Sequence, residues 1–208
     1  MTDRSALAAK VCMVSSGTFV ALLVALHKLR PDLDPSWRFI SEYEIGPYGW
    51  LMRLAFFVLA TSCLSLIVAV WPFAQRISGR FAMFLMLVSS GGMVLAGIFA
   101  PSTENKWHEL GATLDHVPFA ALFLNWCLSR HADWKNSRWL LAGTAGLPLL
   151  GLVIFMGSLA VMLPANDGKP GPSVLAGWPN RFFILMHVAW LVPVAWQTAR
   201  LRRGKTAI

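Results

Sequence analysis

Apolar residues along the chain fall into runs of about 20, separated by shorter segments that hold most of the charges. An α-helix needs about 20 apolar residues to cross a bilayer. Six such runs can be placed, at residues 7–26, 49–71, 81–100, 107–128, 139–163 and 180–199. Because backbone groups inside lipid must be hydrogen-bonded within the chain, each run predicts a helix. We therefore expect an all-α bundle of six transmembrane helices, forming one domain over residues 1–208.

The overall composition agrees with this pattern. Of the 208 residues 56% are hydrophobic and 13% are charged, whereas a soluble domain carries about 25% charged residues. The net charge of +8 is spread between the apolar runs rather than gathered with aromatic residues on one surface. This distribution argues against a nucleic-acid partner. The three cysteines each lie inside an apolar run, which is typical of packed thiols rather than disulfides.

The basic residues predict how the chain is oriented. With the N-terminus in the cytoplasm, 11 Lys and Arg residues fall on the inner side and 7 on the outer side. An excess of basic residues marks cytoplasmic loops, so both termini are expected inside. The first outer loop, residues 27–48, contains three prolines and four acidic residues. We expect it to be a structured loop, part of which folds over the mouth of the bundle.

Small residues cluster within three of the runs. In lipid, small side chains let helix backbones approach closely, so we expect these clusters to pack helices together. Pro148 is expected to kink the fifth span. The clusters are Ser15 to Gly17, Ser89 to Gly92, and the glycines at 143, 146, 151 and 157.

The fourth run carries four ionisable residues near its start: His108, Glu109, Asp115 and His116. Ionisable groups are costly in the apolar layer, and by default they face a partner or a water-filled cavity. On a continuous helix, His108 and Asp115 would form one stripe and Glu109 and His116 a second, about 100° away. We interpret this stretch as the wall of a polar site inside the membrane.

Residues from two other segments are expected to join this site on the outer side. His187 lies six residues after Arg181, about 9 Å further along its helix, and His116 lies about 12 Å below His108. This places His116 and His187 at comparable depths. The predicted ligand-binding set comprises Arg38, Glu42, Glu44, Arg53, His108, Asp115, His116, Arg181 and His187.

Several chemistries are compatible with these residues. The polar groups can simply pair and lock the helices, or Glu42 and Glu44 can pair with Arg38 and Arg53 in a salt-bridged loop that caps the bundle. Imidazoles with a carboxylate also suit zinc, with His116, His187 and either His108 or Asp115 as ligands. A haem held by His116 and His187 would use two histidines at matching depth, but the Cys-x-x-Cys-His attachment motif is absent.

The stretch Arg38–Trp50, with Ser41-Glu42-Tyr43 and Gly46-Pro47-Tyr48-Gly49, resembles a family of bacterial six-helix membrane proteins, domain of unknown function 998. The resemblance continues at Gly97-Ile98-Phe99 and His108 and covers most of the chain. It implies a six-helix architecture and a multi-pass protein of the bacterial inner membrane, without an established activity. A more distant similarity to eukaryotic Frag/DRAM-type membrane proteins is one of fold only.

Three functions remain open at this point. The first is a binding protein for an amphiphile, a lipid or an isoprenoid, whose headgroup lies in the outer-side cavity. The second is an intramembrane hydrolase, with or without zinc, in which Asp115 and His116 act as general base and orienter. The third is a structural subunit that packs against partner proteins in a larger membrane complex. The sequence does not decide whether a reaction is catalysed.

Overall fold

The computed structural model of the protein describes residues 2–102, 106–168 and 171–203. Lys169 and Lys205, two of the basic residues used for the orientation, lie outside these ranges. The described residues form helices and turns, with no strand among them. The α-helices are α1 (Thr2–Leu29), α2 (Gly49–Val70), α3 (Ile77–Ile98), α4 (Trp107–Thr113), α5 (Val117–Ser129), α6 (Arg138–Ala145), α7 (Leu147–Met162) and α8 (Gly177–Arg203).

Five stretches of helix in the described residues are long and apolar enough to cross a membrane. They are Arg4–Leu29, Gly49–Val70, Ile77–Ile98, Ala132–Met162 and Gly177–Leu201. The predictions for runs one, two, three, five and six are therefore confirmed as to the presence of a helix. This is the make-up of an all-helical, multi-pass membrane protein.

The continuous helix predicted for the fourth run is wrong. The run is divided into α4 and α5, and residues 114–116 between them are not helical. Pro118 explains the break, since it lacks an N–H and its ring would clash with the carbonyl of Leu114 four residues earlier. Asp115 and His116 therefore lie on the connection, and the two predicted helical stripes do not form.

Neighbouring helices in sequence are also neighbours in space. α1 packs on α2 and α8, α2 packs on α3, and α3 packs on both α4 and α5. α7 packs on α8 and contacts α5 less extensively, which completes the circuit. The main apolar core lies where α1, α2, α3, α5 and α8 meet, and a smaller cluster around Phe155 and Phe183 joins α7 to α8.

Among the predicted glycines, close helix packing is confirmed at two. A Cβ on Gly92 of α3 would lie 2.4 Å from the carbonyl oxygen of Gly111 on α4, and one on Gly151 would lie 2.8 Å from the Cα of Phe183. For the other predicted glycines the structure has nothing within 4 Å of an added Cβ; these are Gly17, Gly91, Gly143, Gly146 and Gly157. The predicted serines Ser16, Ser89 and Ser90 are buried. The predicted kink at Pro148 is a break, because α6 ends before Gly146 and α7 begins after it.

The loop between α1 and α2 is held in one shape by its backbone and by Arg30. The Arg30 guanidinium donates to the carbonyls of Ile45 (2.6 Å) and Pro47 (3.2 Å), which joins the two ends of the loop. Gly46 has φ +84°, a left-handed conformation that favours glycine. A Cβ on Gly49 would lie 2.2 Å from the Glu44 carbonyl oxygen. In the Gly-Pro-Tyr-Gly motif, Gly46 is thus favoured by its left-handed backbone and Gly49 by its close contact with Glu44.

Candidate functional site

A cavity of about 530 Å³ lies between the pair α3–α4 and the pair α7–α8. Its walls are mainly apolar and include Phe56 of α2, Phe119 of α5, and Phe155 and Phe183. The volume falls in the range of small-molecule sites, about 300–1,000 Å³. The polar side chains on its wall are Ser41, His108, Thr113, Asp115, His116 and Asn180.

One side of the cavity is bordered by apolar residues that are also exposed on the outer surface of the helices. Phe119 of α5 is 43% exposed and Met156 of α7 is 46% exposed, and both line the cavity. In a multi-pass membrane protein, exposed apolar side chains of this kind face lipid. The cavity therefore combines an exposed apolar border with a small number of polar side chains on a mainly apolar wall.

Asp115 and His187 form a buried pair beside this cavity. His187 Nε2 lies 2.9 Å and 3.2 Å from the two carboxylate oxygens of Asp115, and His187 Nδ1 lies 2.9 Å from the carbonyl oxygen of Phe183. The His187 side chain is 0% exposed, whereas that of Asp115 is 14% exposed and lines the cavity. Asp115 is thus the member of the pair that a ligand can reach.

The hydrogen-bond pattern fixes how many protons this pair holds. A carbonyl oxygen only accepts, so His187 Nδ1 carries a hydrogen and donates it to Phe183. A neutral imidazole has only one N–H, and Nε2 faces carboxylate oxygens. The contact with Asp115 therefore needs a second proton, carried either by the ring or by the carboxyl group. In both forms the pair has no net charge.

His108 and His116 are positioned by α3. His108 Nδ1 donates to the carbonyls of Phe99 (2.8 Å) and Ala96 (3.2 Å), which satisfies the C-terminal end of α3. No hydrogen bond to His108 Nε2 is found within the described residues, and the ring lies on the cavity wall. The backbone N–H of His116 donates to Ser89 Oγ at 2.7 Å, so α3 also holds the connection between α4 and α5.

The predicted zinc set is not assembled. Within residues 2–102, 106–168 and 171–203, no three or more His, Cys, Asp or Glu side chains come together closely enough to hold a metal. Both nitrogens of His187 are already bonded, which also removes it from the predicted haem pair with His116. The residue that contacts His187 is Asp115, directly before His116 on the connection between α4 and α5.

Arg38 and Glu42 pair with each other in the first loop. Arg38 Nη1 donates to Glu42 Oε2 at 2.6 Å, and Glu42 Oε1 accepts from the backbone N–H of Phe39 at 2.8 Å. This is one pair of the salt-bridged loop that the sequence left open as an alternative, whereas no salt bridge joins Glu44 to Arg53 within the described residues. Neither Arg38 nor Glu42 lines the cavity, whereas Ile40 and Ser41 between them do.

Arg181 is buried and bonded throughout. It is 2% exposed, and its Nε donates to His27 Nε2 at 2.7 Å. Its Nη1 donates to the carbonyls of Arg38 (2.6 Å), Gly177 (3.0 Å) and Pro35 (3.2 Å), and its Nη2 donates to the Tyr43 hydroxyl at 3.2 Å. Arg181 therefore fastens the first loop to the start of α8, and its guanidinium does not line the cavity.

Glu44 differs from the other acids of the loop. It is 4% exposed, and both carboxylate oxygens lack a hydrogen-bond partner in the described part of the chain. Burial raises the pKa of the Glu44 carboxyl to about 8, and the guanidinium of Arg53 partly opposes this shift. Arg53 itself is exposed and does not line the cavity.

Sequence reasoning missed Asn180 and Ser41 on the cavity wall. Asn180 Oδ1 accepts from the backbone N–H of Ile40 at 3.1 Å, which ties the loop to α8 next to the cavity. Asn180 was read only as the first residue of the sixth span. The available signal in the sequence was a polar residue directly before Arg181 at the start of the sixth apolar run.

The fold defines an all-helical protein of multi-pass membrane type. Residues 13–197 match the family described as "Protein of unknown function (DUF998)", and the chain belongs to that family. The resemblance seen in the sequence is thereby confirmed. No curated protein and no solved structure matches the chain.

Proposed function

We propose that the protein binds a membrane amphiphile, such as a lipid or an isoprenoid, in the cavity between α3–α4 and α7–α8. The polar head lies against Asp115 and His108, and the apolar chain passes between Phe119 and Met156 towards lipid. The observation that carries this proposal is the cavity itself: an apolar volume of about 530 Å³ with ionisable groups inside and exposed apolar residues at its border. Sites for small molecules typically have this combination.

The proposal includes a membrane arrangement. Five spanning helices and the broken pair α4–α5 make six crossings, which leaves both termini on the cytoplasmic side, as the basic residues favour. The first loop and the cavity are then on the outer side of a bacterial inner membrane. A broken helix inside a membrane is tolerated where its free backbone groups are satisfied by protein, and Ser89 supplies one such bond to His116.

The hydrolase alternative has less support in the geometry. Asp115 is bonded to His187, and within the described residues no hydrogen bond joins it to the ring of His116, the residue expected to orient it. A hydrolase of this kind would lose turnover but keep the amphiphile on Asp115→Asn. No contact in the structure favours the structural-subunit alternative.

The test of the amphiphile proposal is native mass spectrometry of the gently solubilised protein, followed by extraction and identification of lipids that remain bound. Ala112→Phe places a large side chain in the cavity, since Ala112 lines it. The matched control is Ala21→Phe, at an exposed alanine of α1 away from the cavity. We expect the wild type and Ala21→Phe to retain one amphiphile per chain and Ala112→Phe to lose it. Equal retention by all three proteins would contradict the proposal.

A further inference from the structure

The charges around the cavity are one-sided. Among the described residues that line it, Asp115 is the only acid and there is no Lys or Arg. The nearby arginines are already committed, since Arg38 pairs with Glu42 and Arg181 is saturated by the loop. A phosphate or carboxylate head would therefore meet no fixed positive charge, whereas a cation would meet a carboxylate.

Asp115 and His187 share one proton in the contact between the carboxylate and Nε2. If that proton leaves, the carboxylate faces the lone pair of Nε2 at 2.9 Å and the cavity carries one uncompensated negative charge. Such a charge is costly in an apolar, membrane-embedded setting unless a counter-ion is close. The pair is thus expected to give up its proton only when a cation replaces it.

Of the remaining titratable groups around the pair, only His108 and His116 can become cationic, and within the described residues neither ring is hydrogen-bonded to Asp115. Cys63 of α2 lies close enough to Asp115 to interact with it electrostatically, and a thiol is neutral or negative. His108 of α4 donates its Nδ1 hydrogen to carbonyls and, when neutral, presents an acceptor at Nε2. His116 lies on the connection beside Asp115, and the cavity residues contributed by α3 and α7 include no titratable group.

The walls suit a cation as well. Four phenylalanines line the cavity, and Phe155 and Phe183 are stacked with ring centroids 5.9 Å apart. Aromatic ring faces are negative and attract ammonium-type ions, most strongly where water is excluded. We propose that the amphiphile bound here is a monocation, such as a lipophilic amine or a quaternary onium ion, and that it enters in exchange for the proton of the Asp115–His187 pair. This rests on the proposed function.

In this exchange no covalent bond other than that to the transferred proton changes. The cation settles against the Asp115 carboxylate, the shared proton passes to water, and the charge of the occupied cavity stays the same as that of the empty one. After the exchange His187 is neutral, and its Nδ1 hydrogen is still donated to the Phe183 carbonyl. Proton and cation therefore compete for one carboxylate.

The test uses two probes of nearly equal shape and opposite charge, tetraphenylphosphonium and tetraphenylborate. Their binding to the full-length protein in a neutral detergent is measured by equilibrium dialysis between pH 6 and pH 9. We expect saturable binding of the phosphonium, with one proton released per ion, and an affinity that rises up to about tenfold per pH unit while the pair is protonated. The borate is expected to bind at least about tenfold more weakly.

Variants locate the effect. Asp115→Asn should lose at least about tenfold in phosphonium affinity together with the pH dependence, and Glu109→Gln, at an exposed acid of the preceding helix α4 that does not line the cavity, should keep both. If Asp115→Asn does not fold, the number of protons that the wild type releases per bound phosphonium ion still tests the proposal. Phosphonium binding without pH dependence and without proton release would overturn the inference.

Two further results separate this inference from the proposed function. Preferential binding of tetraphenylborate, blocked by Ala112→Phe, would overturn the cation inference and leave an amphiphile site in the cavity. If neither ion binds saturably but a co-purified lipid is still lost from Ala112→Phe, the cation inference is likewise overturned and an amphiphile site in the cavity remains. If Ala112→Phe changes neither probe binding nor lipid retention, both proposals fall.

Discussion

Two histidines on neighbouring helices, half-buried His27 and buried His187, show how one local arrangement serves two purposes. His27 Nδ1 donates to the Leu23 carbonyl at 2.7 Å, and His187 Nδ1 donates to the Phe183 carbonyl at 2.9 Å, in each case four residues earlier in its helix. At Nε2 they differ, because His27 accepts from Arg181 whereas His187 meets the carboxylate of Asp115.

The difference decides what each region can do. Donor and acceptor match at His27, so the cap, which we define as residues 30–48 with Arg181 and His27, is closed by hydrogen bonds that need no extra proton. At His187 two acceptors face each other and a proton must lie between them. The cap holds the loop on α8, whereas the Asp115–His187 pair is a site whose charge can change.

The largest effect on stability is expected from removing Arg181, which holds the cap on α8. Arg181→Ala removes five hydrogen bonds: one to the ring of His27, three to the carbonyls of Pro35, Arg38 and Gly177, and one to the Tyr43 hydroxyl. Breaking a buried charged network typically costs about 3–5 kcal/mol. Thermal unfolding in detergent, followed by size-exclusion chromatography, should show a large loss of stability. Arg200→Ala, at an exposed arginine of the same helix that stacks on Trp196, is the control and should change little.

An intermediate effect is expected at the contact that holds the cavity end in place. Gly92→Ala puts a Cβ against the Gly111 carbonyl, so α3 and α4 must separate, at a cost of about 1–3 kcal/mol. Because α3 positions His108 and the connection at His116, amphiphile retention should fall as well.

Its neighbour supplies a matched control. Gly91→Ala meets nothing within 4 Å, and alanine favours a helix over glycine by about 1 kcal/mol. We expect this variant to be as stable as the wild type or slightly more so, with its amphiphile retained. If both variants behave alike in thermal unfolding and in native mass spectrometry, the glycine contact does not position the site.

The smallest effect concerns the one carboxyl group of the cap that has no hydrogen-bond partner. Glu44 in the unfolded chain loses its proton near pH 4.5, and in the folded chain its pKa is about 8. Between these values the folded state binds more protons, so the stability of the wild type should fall as pH rises from about 4.5 to about 8 and then level off. We expect a loss of about 1–2 kcal/mol, because water can reach the carboxylate once the loop relaxes.

The corresponding measurement is the thermal midpoint across this pH range for the wild type and Glu44→Gln. The variant cannot ionise at this position, so its profile should lack the decline. Glu42→Gln is the companion variant, since Glu42 is paired with Arg38. A wild-type profile that rises with pH through this interval would contradict the burial of an unpaired Glu44 carboxyl.

Hydropathy predicted most of the helices because each needs only local apolar length. The break in the fourth run was also readable in the sequence, since Pro118 forbids the bond to the Leu114 carbonyl, but the apolar residues around it favoured a single span. With that break overlooked, depth along ideal helices pointed to His116 as the neighbour of His187 instead of Asp115.

Other parts of the site depend on contacts that spacing does not encode. Arg181 looked like a ligand for a headgroup, and its partners in the loop lie about 140–150 positions away in the sequence. Likewise, nothing local distinguishes Glu42, which is paired, from Glu44, which is buried without a partner. Only the folded loop separates their roles.

The most direct test of the proton-sharing pair is nitrogen-15 NMR of the histidine side chains in the solubilised protein, which has five histidines. The account predicts an Nδ1 hydrogen on both His27 and His187. It also predicts that Asp115→Asn shifts the His187 Nε2 signal and leaves that of His27 in place. A His187 ring without a hydrogen on Nδ1, or an Nε2 signal that Asp115→Asn does not move, would contradict it.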